Sequence, residues 1–354
     1  MIDHHHHTGP EVAGFALPLL RGETPPPLRQ HQVEEVAEGI RRAGVTAIAL
    51  KKAPPGWAPP ALITALEKER DRLRADLALL YDRLGRLADS LGAAGIRFIL
   101  LKGAALAPLL YGSPEERPMV DIDLLIRRRD WPAARAALGR EGYRFPDEKV
   151  ESYWLANYYN MAVGTPGPAP SSLDLHWGLC QPIRYRVDED GLWSRSVPFR
   201  LDGREHLRLG DEDLLLSLVL HIAYHYFDAR LLWLHDIHLL CRKTAIDWDS
   251  ASSRAKEWGM GTVFGLALAY VEKVFPGTVP AEVLSAGAPR SIRAALLAPL
   301  RSAEPDCFFR GDDRRFTQLI QGILVMDSPL AMARFGADKI ARRLRFLGRR
   351  PRLR

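Results

Sequence analysis

Met119-Val120-Asp121-Ile122-Asp123-Leu124-Leu125-Ile126 is the stretch that sets the fold. Side chains alternate across a strand, so a strand here puts Asp121 and Asp123 on one face and turns Ile122 and Leu124 toward a core. Two carboxylates this close on an otherwise buried strand repel each other and resist desolvation unless a cation lies between them. A hard divalent ion meets that need. Mg²⁺, or Mn²⁺ in its place, takes carboxylate oxygens and keeps positions open for water and substrate phosphates. The expected ligand therefore carries phosphate.

On either side of this strand the pattern alternates between strand and helix. Phe98-Ile99-Leu100-Leu101 is a short apolar run of the kind a buried strand shows, ended by Gly103, and Ala104 to Tyr111 reads as a short helix. Ala133 to Gly142 is helical again, and a third strand is expected at Leu173-Asp174-Leu175-His176-Trp177 after the Gly/Pro-rich stretch 164–170. Asp174 projects away from its core neighbours Leu173 and Leu175, so it can complete a carboxylate triad with Asp121 and Asp123. Three acids on adjacent strands can hold two metals, one for an attacking hydroxyl and one for the triphosphate.

The flanks read as helices. Leu73, Leu77, Leu80, Leu84, Leu87 and Leu91 recur at spacings of four and three, a stripe suited to packing within the molecule. From Asp211 onward strand signals vanish and apolar helical segments follow at about 213–241, 251–275, 291–303, 314–325 and 329–347. The expected class is α+β, a small mixed sheet preceded by helices and followed by a helical C-terminal domain. The expected divisions are a disordered lead-in over 1–27, N-terminal helices over 28–94, a core over 95–205, a helical domain over 206–338 and a basic tail over 339–354.

The chain has 354 residues, 47% of them hydrophobic, and a formal charge of +6. Such a composition describes an ordinary globular protein, and no stretch reaches the roughly 20 apolar residues that span a bilayer. A cytoplasmic protein with no membrane span is expected. Cys180, Cys241 and Cys307 lie far apart without CxxC spacing, which indicates neither disulfides nor a thiolate metal site. Much of the positive charge sits between Lys339 and Arg354, and a run at a terminus is usually a solvated one. His4 to His7 form a tag-like patch outside the fold.

Four blocks in order, Leu101-Lys102-Gly103-Ala104, Leu109-Leu110-Tyr111-Gly112, Arg117-Pro118-Met119-Val120-Asp121-Ile122-Asp123 and Leu173-Asp174-Leu175-His176-Trp177, resemble the uncharacterised bacterial nucleotidyltransferases of the DNA polymerase β superfamily. The resemblance covers about residues 95–250. It implies a polymerase β-type core, Asp121, Asp123 and Asp174 as catalytic metal ligands, and transfer of a nucleoside monophosphate from a nucleoside triphosphate, AMP from ATP, to an acceptor hydroxyl. It also gives Lys102, Gly103, Ala104 and Arg117 to the nucleotide, Gly103 letting backbone amides at a helix N-terminus approach the phosphates. The superfamily has Gly-Gly or Gly-Ser where this chain has Gly103-Ala104, so one hydroxyl donor is missing.

His221, His225, His235, Asp236 and His238 form a second cluster, and His235-Asp236 raises HD-type metal phosphohydrolases as an alternative. The later Asp247 and Asp249 follow too soon for that pattern. His176, His221 and Asp236 are instead expected as supporting contacts around the cleft. A nucleotide-binding partner protein that has lost turnover is the third class. No GxxxxGK[ST] loop or GxSxG elbow is present, which weakens kinase and hydrolase readings. Trp233, Trp248 and Tyr226 are expected to line an acceptor pocket for a small molecule or protein hydroxyl, since basic residues do not interleave with aromatics near the acids as nucleic-acid binding would need.

Overall fold

The computed structural model describes residues 10–166, 172–225, 230–286 and 325–347. In chain order the elements are α1 (Pro10–Arg21), α2 (Val33–Ala43), α3 (Thr46–Lys52), α4 (Pro60–Ala93), β1 (Phe98–Leu100), α5 (Lys102–Leu110), β2 (Asp121–Ile126), α6 (Trp131–Arg140), α7 (Glu148–Asn157), β3 (Asn160–Val163), β4 (Ser172–His176), α8 (Glu189–Ser194), β5 (Val197–Leu201), β6 (Arg204–Arg208), α9 (Asp211–Tyr224), α10 (Leu231–Lys243), α11 (Trp248–Glu257), α12 (Gly261–Val274), α13 (Ala281–Ala286) and α14 (Pro329–Leu347). The six strands make one open mixed sheet in the order β3-β4-β2-β1-β6-β5. The class is α+β, as expected.

Register positions the acids. β2 runs parallel to β4 with Asp123 opposite Asp174 and Asp121 opposite Ser172, while β1 is antiparallel to β2 and parallel to β6. Ile122, Leu124, Ile126, Leu173 and Leu175 turn to one face, where Leu77, Leu80, Leu84, Leu87 and Leu91 of α4 and Leu138 of α6 close a core over them. The leucine stripe is thus spent inside the molecule, on the sheet. Burying such side chains stabilises by roughly 1.5–3 kcal/mol each. The opposite face carries Ile99 and Leu125 into a second core and, beyond them, the acids.

The second core begins early in the chain, where Pro10–Arg21 is a helix that buries Phe15, Ala16, Leu17, Leu19 and Leu20. These pack in the same cluster as Ile40 of α2, Leu62 of α4, Leu215 and Val219 of α9, and Val271 of α12, so helices from before and after the sheet share one core. Arg21 Nε donates to the Val274 carbonyl at 2.7 Å, a tie across most of the chain. The segments expected as single helices at 213–241 and 251–275 are each broken in two, the second at Gly259, whose φ of +72° ends α11 in the left-handed region that glycine adopts without strain. The segments 291–303 and 314–324, the basic tail beyond 347, the His4–His7 patch and Cys307 lie outside the described residues. Among the described residues, no helix is long and apolar enough to cross a membrane.

Candidate active site

The turn from β1 into α5 is the tightest place in the sheet. Leu101 N–H donates to the Asp123 carbonyl at 3.1 Å, which ties the turn to the acid strand. Lys102 then takes φ of +46°, a left-handed conformation that a side-chain-bearing residue holds only where its surroundings impose it. Gly103 follows with no room for a side chain, since a Cβ there would lie 2.9 Å from Met119 Cβ. No side chain caps the first turn of α5, so its backbone N–H groups are left for an anion.

The strained turn delivers Lys102 to the acids. Its Nζ lies 2.7 Å from Asp123 Oδ1, and His176 Nε2 lies 2.9 Å from the same oxygen and 3.3 Å from Asp174 Oδ2. Asn160, on the neighbouring β3, donates from Nδ2 to Asp174 Oδ2 at 2.7 Å. Ligand atoms of Asp123, Asp174 and His176 all lie within 4.8 Å of one another, the one such metal-competent group among the described residues. His176, expected as a supporting contact, thus converges with two of the expected metal ligands. Asp121 stands outside that trio, on the same strand face.

Charge in the cluster is balanced by partners rather than by water. Burial works to neutralise Asp123, but Lys102 and His176 outweigh it and hold the carboxyl well below the usual carboxylate range. Burial likewise opposes charge on His176, yet Asp174 and Asp123 push its pKa up to about 9. Lys102 is raised for the same reason, Asp123, Asp174 and Asp121 overcoming its desolvation. Asp121 goes the other way from Asp123: burial first, then the Asp123 charge, raises it to about 6.

Asp174 Oδ1 and His176 Nδ1 are buried without a hydrogen-bond partner. Buried polar atoms are seldom left so, and two of them in one cluster leave it with unused donor and acceptor capacity. Two carboxylate oxygens and an imidazole nitrogen suit Mn²⁺ well and Mg²⁺ acceptably, so the residues fit a divalent ion.

Other expected residues fall elsewhere. Arg117 is only 6% exposed and its Nε donates to both Asp236 oxygens, at 2.8 and 3.0 Å. Tyr111 donates to Asp236 Oδ1 at 2.7 Å. Arg117 is therefore engaged by a buried carboxylate, not held out to phosphates, and Asp236 meets Arg117 instead of the acids. That spends the aspartate of the His-Asp pair. His235, pushed down to about 3 by burial and then by Lys52, lies 3.3 Å from the Tyr111 hydroxyl and packs against the Phe275 ring at 5.7 Å. The pair belongs to no metal-competent group among the described residues, which counts against the HD-type alternative.

His221 does reach the site. It lines a small cavity, partly open to solvent, together with Lys102, His176, Tyr159 and Tyr224. Its ring packs on His225 at 4.8 Å and on Trp233 at 4.3 Å. Burial and the nearby Lys102 keep His221 well below its ordinary pKa, and the same causes bring His225 to about 4, so both are neutral near pH 7. Trp233 touches the cavity wall through these histidines, Trp248 packs against the second core, and Tyr226 lies outside the described residues. Asn160 and Tyr159 are site residues that the sequence reading missed. The alternation Asn160-Met161-Ala162-Val163, with Met161 and Val163 buried, was the available signal for β3.

The sequence pattern of a family described as uncharacterised nucleotidyltransferase matches residues 30–276, a span that takes in the sheet, the acids and the cavity wall. No curated protein and no solved structure matches the chain.

Proposed function

Because this chain belongs to a family of uncharacterised nucleotidyltransferases, we propose that it moves a nucleoside monophosphate, AMP from ATP, onto an acceptor hydroxyl with release of pyrophosphate, using Mg²⁺ or Mn²⁺. The observation that carries this reading is the convergence of Asp123, Asp174 and His176 beside a lysine and an uncapped helix N-terminus. That is a place for a cation next to a place for phosphate. These three residues hold the metal, which when bound neutralises charge developing on the phosphates and lowers the pKa of a bound hydroxyl.

The chain's own groups do the rest. Lys102 and the first amides of α5 draw the triphosphate to the β1 side of the acid strand, with Gly103 letting backbone approach it. Asn160 fixes the rotamer of Asp174. A new bond forms between the acceptor oxygen and the α-phosphorus as the bond to pyrophosphate breaks, and the acceptor's proton passes to a carboxylate. The uncharged His221, packed edge-on against His225, closes one side of the cavity without competing for phosphate. The acceptor is a small molecule or a protein hydroxyl.

Calorimetry tests the metal and nucleotide together. ATP is expected to bind only with Mg²⁺ or Mn²⁺ present, and the Asp123→Asn protein to lose that binding while keeping its melting profile. Tight metal-independent binding, unchanged by Asp123→Asn, would remove the acids from the site. ATP binding without any turnover would return the chain to the class of nucleotide-binding partners.

A further inference from the structure

The far wall of the cavity carries a charge that the proposed reaction does not use. Arg184 stands in the segment after β4, is 6% exposed and lines the same cavity as Lys102 and His176. Its Nε and Nη2 are buried with no hydrogen-bond partner. The Lys102 charge is answered by Asp123, but no Asp or Glu lines the cavity to answer Arg184. Buried N–H donors left unpaired are unfavourable, and a ligand that accepts from them would complete the site.

The way the guanidinium is held points the same way. The rings of Tyr185 and Phe335 lie 5.6 and 5.1 Å from its central carbon. Ring contacts fix a guanidinium while leaving its N–H groups for other partners. Nε and Nη2 are adjacent donors of one edge, spaced to meet both oxygens of a carboxylate or phosphate. The buried Tyr185 hydroxyl neighbours the guanidinium and interacts with its charge. Arg184 also borders a second groove, lined by Arg186, Lys256 and Arg334, but Glu257 stands among those cations and supplies a counter-charge there.

Placement separates this end from the phosphate end. Tyr159 packs against His176 at 5.9 Å, and its hydroxyl, raised well above its ordinary pKa by burial and next by Tyr224, feels both Asp174 and Arg184. Tyr159 lines the same cavity as His176 and Arg184. The sheet order puts β3 and β4 on one side of the acid strand and the β1–α5 turn on the other.

We propose that Arg184 is the docking point for an anionic group, carboxylate or phosphate, carried by the acceptor, which lies along Tyr159 with its hydroxyl toward Asp174. The word acceptor rests on the transferase reading; the anion site does not. The same chemistry could come from the nucleotide's terminal phosphate, and the two sources separate by experiment.

Full-length protein is titrated with inorganic phosphate without metal or nucleotide, then with a non-hydrolysable ATP analogue and Mg²⁺, with melting temperature recorded throughout. Arg184→Gln is expected to weaken phosphate binding by at least about tenfold, the loss of one charge-assisted contact. Arg184→Lys should recover part of it, and Arg186→Gln should leave it unchanged. Affinity for the ATP analogue should stay the same in Arg184→Gln, and without phosphate this variant should melt no lower than wild type. Unchanged phosphate affinity in Arg184→Gln, or a lower melting temperature that marks Arg184 as structural, overturns the proposal. Equal loss in Arg186→Gln would move the anion to the second groove and overturn it as well. Loss of analogue affinity in step with phosphate would give Arg184 to the nucleotide and overturn the acceptor assignment. If wild type binds no analogue, the transferase reading fails and the acceptor assignment with it, while the phosphate titration still decides the anion site.

Discussion

Asp123, 3% exposed and contacted by both Lys102 and His176, is the carboxylate through which the whole cluster is coupled. Protons and metal compete there. His176 is raised from 6.5 to about 9, so its contribution to stability is complete below pH 6.5 and is lost as pH climbs through about 9. Asp121, raised from 3.8 to about 6, likewise favours the protonated native state and loses that contribution as pH climbs through about 6. Metal-free protein should thus lose stability from these two groups as pH rises from about 4 to about 9, whereas metal affinity should rise over the same range because the ion displaces their protons. Mn²⁺ titrations at several pH values check this, and His176→Asn should flatten the upper part of the rise. A pH-independent affinity would show that His176 does not ligate. The paired acids were legible in the sequence because alternation along a strand is a local rule. The role of His176 was not, since it depends on the register that sets Asp174 beside Asp123. The partner of Arg117 was not legible for a related reason: Asp236 is 119 positions away.

At the level of elements, the contact between the loop before β2 and helix α10 carries a buried ion pair. Burial raises Asp236 despite Arg117, whereas Arg117 is itself raised because Asp236 and Tyr111 outweigh its desolvation, so the charges of the pair depend on each other. Asp236→Ala should therefore destabilise by about 3–5 kcal/mol, by leaving Arg117 buried and alone. Arg117→Met combined with Asp236→Leu should melt near wild type. Denaturant melts of the single and double variants check this, and an additive double variant would contradict it. The hairpin β5–β6 shows what element-level reading missed. Asp202-Gly203, with φ of +51° and +72°, is a primed turn between alternating runs, and an Asp-Gly pair so flanked is a strong hairpin signal. The hairpin fell in a stretch where the sequence reading, which took the core to residue 205, named no strand. The leucine stripe of α4, by contrast, was legible because its period of three and four belongs to a helix alone.

Across the whole molecule, the sheet sits between two cores, and helices from both ends of the chain build the one behind the catalytic face. That union was not legible, because α1 follows no long periodic run and, beside the nearby α2 and α3, its core includes residues of α9 and α12 about two hundred or more positions on. Removing residues 1–21 strips Phe15, Leu17, Leu19 and Leu20 from this core, several times roughly 1.5–3 kcal/mol, which is comparable with a domain's entire stability. The truncated protein should be insoluble or melt far below the full chain; equal melting would contradict the shared core. With the scaffold intact, the claim that matters most is the reaction class. Incubating the protein with Mg²⁺ or Mn²⁺, lysate from its source as acceptor, and ATP labelled in parallel at the α- and γ-phosphates measures it directly. The account predicts that α-label becomes attached to an acceptor while γ-label appears as pyrophosphate, both abolished by Asp123→Asn. Orthophosphate release, or transfer of the γ-label, would contradict it.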